Sequence, residues 1–196
     1  MFVRSAVNQN PTAGPEYLCQ LQARCLKNDP YAFLLMGEFH RNGNFELAKD
    51  DLKALDYLIR SVELGSGEAC AKIGMCYTEG TGVSVDEERG ALFFRVGALR
   101  GEIMARHNIG CSEYYDLGNH EFGIRHWKIA AEAGFQPSLD ELREIYNADG
   151  KMTGKEFISQ ECMDSLYRVC HASQEEVKSE EREKHVQSKE VSNWKC

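Results

Sequence analysis

The chain has 196 residues, 42% of them apolar and 28% charged, the make-up of one ordinary globular domain or slightly more. Its formal charge is −8, from 23 Lys+Arg against 31 Asp+Glu, which argues against a broad nucleic-acid or anionic-membrane surface. No apolar run approaches the ~18 residues of a membrane span, and the N-terminus carries no apolar stretch of the kind that marks a secretory signal.

In chain order, residues 1–14 read as a disordered N-terminal segment and 15–28 as an N-terminal capping helix, with Leu18, Leu21 and Cys25 on one face. Residues 29–172 read as a run of paired helices. Asp29-Pro30 opens the first as an N-cap followed by Pro at the first helical position. A helix is expected from about Gly67 to Glu79, broken by Gly80-Thr81-Gly82-Val83, and Asp86 caps the next, with Glu87 and Glu88 in its positive first turn. Two capping boxes, Ser138-x-x-Glu141 and Thr153-x-x-Glu156, follow. A C-terminal capping segment after Lys155 presents Phe157, Met163, Leu166, Tyr167 and Cys170 as its apolar face. Residues 173–196 form a charged tail, helical or disordered, that includes Trp194. Nothing alternates with period two, so no strand is expected.

The helices repeat. Gly65, Gly101 and Gly134 each close an apolar helical stretch, with spacings of 36 and 33 residues. Ala32, Ala69 and Ala105 are followed five residues later by Gly37, Gly74 and Gly110. Ahead of the closing glycines lie a small residue (Ala54, Gly90, Gly123), a bulky pair (Tyr57-Leu58, Phe93-Phe94, His126-Trp127) and a small pair (Ser61-Val62, Gly97-Ala98, Ala130-Ala131). Small residues let helix backbones approach, and bulky ones fill the gap. Trp127 is therefore expected in the core. The fold class this implies is all-α, a right-handed α-solenoid of three to four antiparallel helix pairs with capping helices.

Ala69-x-x-x-Ile73-Gly74-x-x-Tyr77-x-x-Gly80-x-Gly82-Val83-x-x-Asp86, continued by Gly90-Ala91-x-x-Phe94-x-x-Gly97-Ala98-x-x-Gly101, resembles the consensus of the Sel-one-like repeat, a relative of the tetratricopeptide repeat. The first copy departs with His40 in the Tyr column and a reshaped turn around Gly43. The third departs with Glu113 in that column and a short turn over 116–119. The segments 105–111, 118–121 and 125–131 are similar to arrays in protist proteins that often follow a RING-type zinc finger, but no RING ligand pattern occurs in this chain.

Catalytic and metal chemistry have thin support in the sequence. His107 and Cys111 are four apart on one helix and face the same way, yet structural zinc takes about four ligands and no spaced second pair accompanies them. No metal or cofactor is expected. Gly65-Ser66-Gly67 and Gly80-Thr81-Gly82 follow no strand and precede no Gly-Lys-Ser/Thr, so they read as repeat turns rather than phosphate loops. No hydrolase or kinase signature is present, and the chain reads as a binding module rather than an enzyme. Eight cysteines without a Cys-x-x-Cys motif fit a reduced, cytoplasmic protein.

The resemblance to tetratricopeptide arrays implies a concave face lined by the first helix of each pair, the A helix. Its columns would be Leu34, Glu38 and Arg41; Ala71, Met75 and Thr78; His107, Cys111 and Tyr114; Asp140, Glu144 and Asn147. The expected function is an intracellular scaffold or adaptor that takes a peptide or helix with apolar anchors and some basic character. The alternatives are the substrate-binding part of a ubiquitin-ligase-type protein whose RING finger lies outside this chain, or a hydrolase.

Overall fold

The computed structural model describes residues 13–148 and 154–193, without the side chains of Ala13, Val177 and 180–193. The expected disordered segment thus lies outside the described residues except for its last two positions, as do Thr153 and Trp194. Every regular element among the described residues is helical. None of these helices is long and apolar enough to cross a membrane.

The chain divides into two compact units, one up to Ala105 and one from Arg106 on. The first holds α1 (Ala13–Cys25), α2 (Pro30–Asn42), α3 (Asp51–Glu63), α4 (Gly67–Glu79) and α5 (Glu87–Leu99). Helix α6 (Ile103–Cys111) begins in its last residues. The second unit continues with a π-helical turn (Ser112–Asp116), α7 (His120–Glu132), α8 (Gln136–Asn147), a 3₁₀ turn (Lys155–Phe157) and α9 (Gln160–Asn193). Helix α1 starts two residues before the expected Pro15, which takes a first-turn position where its missing N–H is not needed. Helix α4 has the bounds read from the sequence.

Local chemistry sets the helix ends. The Asp29 carboxylate accepts from the Tyr31 and Ala32 amides ahead of Pro30, and Asp86 accepts from Arg89 N–H. Asp50 and Ser66 cap α3 and α4 in the same way. The three closing glycines are all left-handed, with φ of 99°, 86° and 87°. At each, two crossed bonds satisfy the last carbonyls. Ser66 N–H reaches Ser61 O while Gly65 N–H reaches Val62 O, and the pairs at Gly101 and Gly134 repeat this.

The Ser138 capping box does not form. Helix α8 begins at Gln136 with Pro137 in its first turn, so Ser138 is already helical and its buried hydroxyl turns inward. Pro137 is the stronger start signal, because its fixed φ suits the first turn. Ser159 begins α9 instead, its hydroxyl accepting from Cys162 N–H at 3.1 Å.

Each pair is held by a socket. A Cβ on Gly37 would meet Leu58 at 3.0 Å, one on Gly74 the Phe94 ring at 2.6 Å, and one on Gly110 the Trp127 indole at 2.6 Å. The bulky column of one helix thus fills the space left by the glycine of its partner, which explains the small–bulky pattern in the sequence.

In the first unit, Leu21, Ala32, Leu35, Met36 and Phe39 form one core under α1, while Leu34, Leu58, Ala69, Ile73 and Cys76 form another between the repeats. In the second unit Trp127 is fully buried amid Ile124, Leu139, Leu142, Ile145, Met163, Leu166 and Cys170. Met163, Leu166 and Cys170 make the expected capping face. Phe157 does not join it: its ring is exposed, and its contacts are through the backbone, the N–H donating to Gly154 O at 2.9 Å and the carbonyl accepting from Lys128 Nζ at 2.7 Å.

Candidate functional site

The A helices carry the candidate residues. In the first unit these are α2 and α4, which lie side by side. Lys72 Nζ on α4 pairs with Glu38 Oε1 on α2 at 2.7 Å, and Arg41 Nη2 pairs with Glu79 Oε2 at 2.9 Å. Met75 lies on the helix face between Lys72 and Glu79, half-buried, and Thr78 is exposed with its hydroxyl on the Met75 carbonyl. This face therefore offers an apolar centre within a frame of alternating charge.

Two expected contact residues do not belong to it. Leu34 sits in the inter-repeat core with Ala69 and Ile73, and Ala71 is wholly covered. In these two copies the position three before the glycine is covered where helices pack, so neither side chain is free to meet a partner, whereas His107 in the third copy is only half-buried.

In the second unit the A helices are α6 and α8. His107 Nδ1 lies 2.9 Å from Ser138 Oγ, and His107 Nε2 lies 3.5 Å from Cys111 Sγ. The His107 ring also packs against Phe135, with centroids 5.3 Å apart. Burial holds His107 below the usual imidazole range and pushes the Cys111 thiol up to about 11, with nearby Glu141 adding to the latter. Asp140 pairs with Arg143 at 3.0 Å, while Glu144 and Asn147 are exposed, leaving an acidic end on α8.

Tyr114 is the third correction. It is buried, with its ring 5.1 Å from Trp127 and 4.7 Å from His120. The π-helical turn over Ser112–Asp116 is wider than an α-turn and rotates the side chains that follow Gly110. Tyr114 is carried into the core, and Tyr115 takes the exposed place. The Tyr115 hydroxyl donates to Glu141 Oε2 at 2.6 Å, and burial together with that carboxylate raises its pKa above the ordinary phenol range. Sequence reasoning missed Tyr115, Ser138 and Glu141 as members of this site.

Helix pairs that recur every 33–36 residues and interlock through glycine sockets define a helical-repeat protein of the α-solenoid class, a protein-interaction module. The chain belongs to the Sel1 repeat family, whose model matches residues 30–66, 67–102 and 104–135, more than half of its length. It is similar to a Sel1 repeat protein from Oxalobacter formigenes, at 26% identity and a TM-score of 0.68, over 85% of this chain and 74% of that one. It shares its fold with c5321, a protective antigen of uropathogenic Escherichia coli displaying an SLR fold. There the identity is 24% and the TM-score 0.62, over 79% of this chain and 33% of that one. No curated protein sequence matches.

Proposed function

We propose that the chain is an adaptor that binds a peptide or helical segment of a partner protein on its A-helix faces. The observation that carries this is the α2–α4 face, where half-buried Met75 is framed by Glu38, Lys72, Arg41 and Glu79. An apolar anchor on Met75 with polar groups at its rim is how a short segment gains both affinity and register. Thr78 completes this face. In the second unit, exposed Glu144 and Asn147, with Asp140 paired to Arg143, give α8 a polar, partly acidic surface suited to a segment with basic character, and His107 and Cys111 are the candidate contacts on α6.

The reading carries with it a reducing, cytoplasmic setting, in which the buried thiols of Cys70, Cys76 and Cys170 persist as thiols.

The test is capture of partners from source-cell lysate by the intact chain, by Met75→Glu and by Leu92→Glu. Leu92 is exposed on α5, a helix that is not an A helix. A partner kept by the parent and by Leu92→Glu, but lost by Met75→Glu, supports the assignment. A partner kept by Met75→Glu and lost by Leu92→Glu moves the site to the other helices and overturns it.

A further inference from the structure

We propose that His107, Cys111 and Glu141 form a site for one divalent transition-metal ion, with zinc the best match. One ligand atom from each lies within 4.8 Å of the other two, and the three come from two helices, α6 and α8. The ligands of a tetrahedral zinc ion stand about 3.3–3.8 Å apart, given metal–ligand bonds of about 2.0–2.3 Å. His107 Nε2 and Cys111 Sγ, at 3.5 Å, already have that spacing, so only the carboxylate has to close in.

The surroundings of the three groups suit ligation. Metal-bound histidines commonly donate their other ring N–H to a fixed acceptor, which sets the tautomer and aims the ring. Ser138 Oγ, fully buried and 2.9 Å from His107 Nδ1, is placed to be that acceptor, and in that tautomer Nε2, 3.5 Å from Cys111 Sγ, carries the lone pair. Tyr115 donates to Glu141 Oε2 at 2.6 Å, which steadies the carboxylate. Ligating carboxylates are themselves hydrogen-bonded in the same manner.

The donor set selects the ion. One sulfur, one imidazole nitrogen and one carboxylate oxygen favour zinc and its neighbours over magnesium or calcium, which take oxygen cages. All three residues are half-buried rather than sealed, so a fourth position stays open to water or to a group from outside. His107 and Cys111 are also candidate partner contacts, but the test of the metal site needs no partner.

The full chain, stripped with a chelator, is titrated with Co²⁺ and followed by the thiolate-to-cobalt charge-transfer absorbance. The expected result is saturation at one equivalent, with the absorbance abolished by Zn²⁺ in competition. Cys111→Ser should remove the charge-transfer band, and His107→Gln and Glu141→Gln should each weaken binding by about tenfold or more. Cys162→Ser should match the parent, and circular dichroism checks that each variant is folded. Should Cys111→Ser fail to fold, the His107 and Glu141 variants decide alone. A band that survives Cys111→Ser, titrations of His107→Gln or Glu141→Gln that superimpose on the parent's, or no band at millimolar Co²⁺ would each overturn the assignment.

Discussion

His40 lies flat on Tyr57, with ring centroids 5.4 Å apart and planes 11° from parallel. One repeat later Tyr77 lies on Phe93 at 5.7 Å and the same 11°. The histidine that departs from the repeat's Tyr column therefore keeps its geometry. What changes is its chemistry, since an imidazole takes up a proton in the pH range where a phenol does not.

That proton is disfavoured in the folded chain. Burial, with Lys53 adding to it, holds His40 below its ordinary value of 6.5. Burial does the same to His107, and burial with Arg106 to His126. A depressed histidine pKa means that the unfolded chain binds more protons, so unfolding free energy rises with pH. The stabilisation is complete above about pH 6.5 and is lost progressively as the pH falls from there toward the folded values. Urea midpoints should drop between pH 7.5 and 5.5, and His40→Tyr should reduce that drop. An unchanged pH dependence in His40→Tyr would show that the ring in this column is not one of its sources.

The sockets predict a steep cost for a single methyl group. Gly74→Ala places a Cβ 2.6 Å from the Phe94 ring, so that either the ring or the helix pair has to shift. We expect a loss of about 1–3 kcal/mol, the usual cost of overpacking. Restoring space with Gly74→Ala/Phe94→Leu should recover part of it. A double variant no more stable than Gly74→Ala would show that the two positions do not communicate.

Ser61 is fully buried at the end of α3, and its hydroxyl donates to the Pro30 carbonyl at 2.7 Å. The bond ties the start of α2 to the end of α3. Pro30 opens α2, so its carbonyl keeps its intrahelical donor in Ser61→Ala, and the loss of the hydroxyl bond alone should cost about 0.5–1.5 kcal/mol in chemical denaturation. Ser61→Thr, which keeps the hydroxyl but adds a methyl group, should also destabilise, through packing.

Helix caps differ among the repeats in a way that mutation should resolve. Asp86 accepts from Arg89 N–H, so Asp86→Ala should cost about 1 kcal/mol. Asn119 occupies the equivalent place before α7 but makes no side-chain cap; its amide donates to Glu113 at 2.8 Å instead. Asn119→Ala should therefore cost clearly less than Asp86→Ala, as read by the change in thermal midpoint.

The glycine and bulky columns were legible because socket packing repeats along the chain and leaves the same size pattern in every copy. Asp29, Asp86 and the closing glycines were legible because caps act within four residues. The displaced features depend on more. The tetratricopeptide resemblance places Tyr114 outward, four residues after its glycine, a column that holds only while the helix stays α-helical; the π-helical turn breaks it. Leu34 and Ala71 have the spacing of a surface column, but the neighbouring packing that covers them leaves no local mark. Glu141 is thirty residues from Cys111, and only the approach of α8 to α6 brings the carboxylate to the His–Cys pair. Ser138 looked like a cap because its box was complete, while Pro137 beside it already started the helix.

The partners of the socket glycines are Leu58, Phe94 and Trp127, and they grow larger along the chain. Each helix thus carries a gauge that fits its own mate. A tryptophan forced against Gly74 or a leucine set against Gly110 leaves either a collision or a hole. In a chain built of near-copies, where any A helix resembles any other, graded size gives every pair an address.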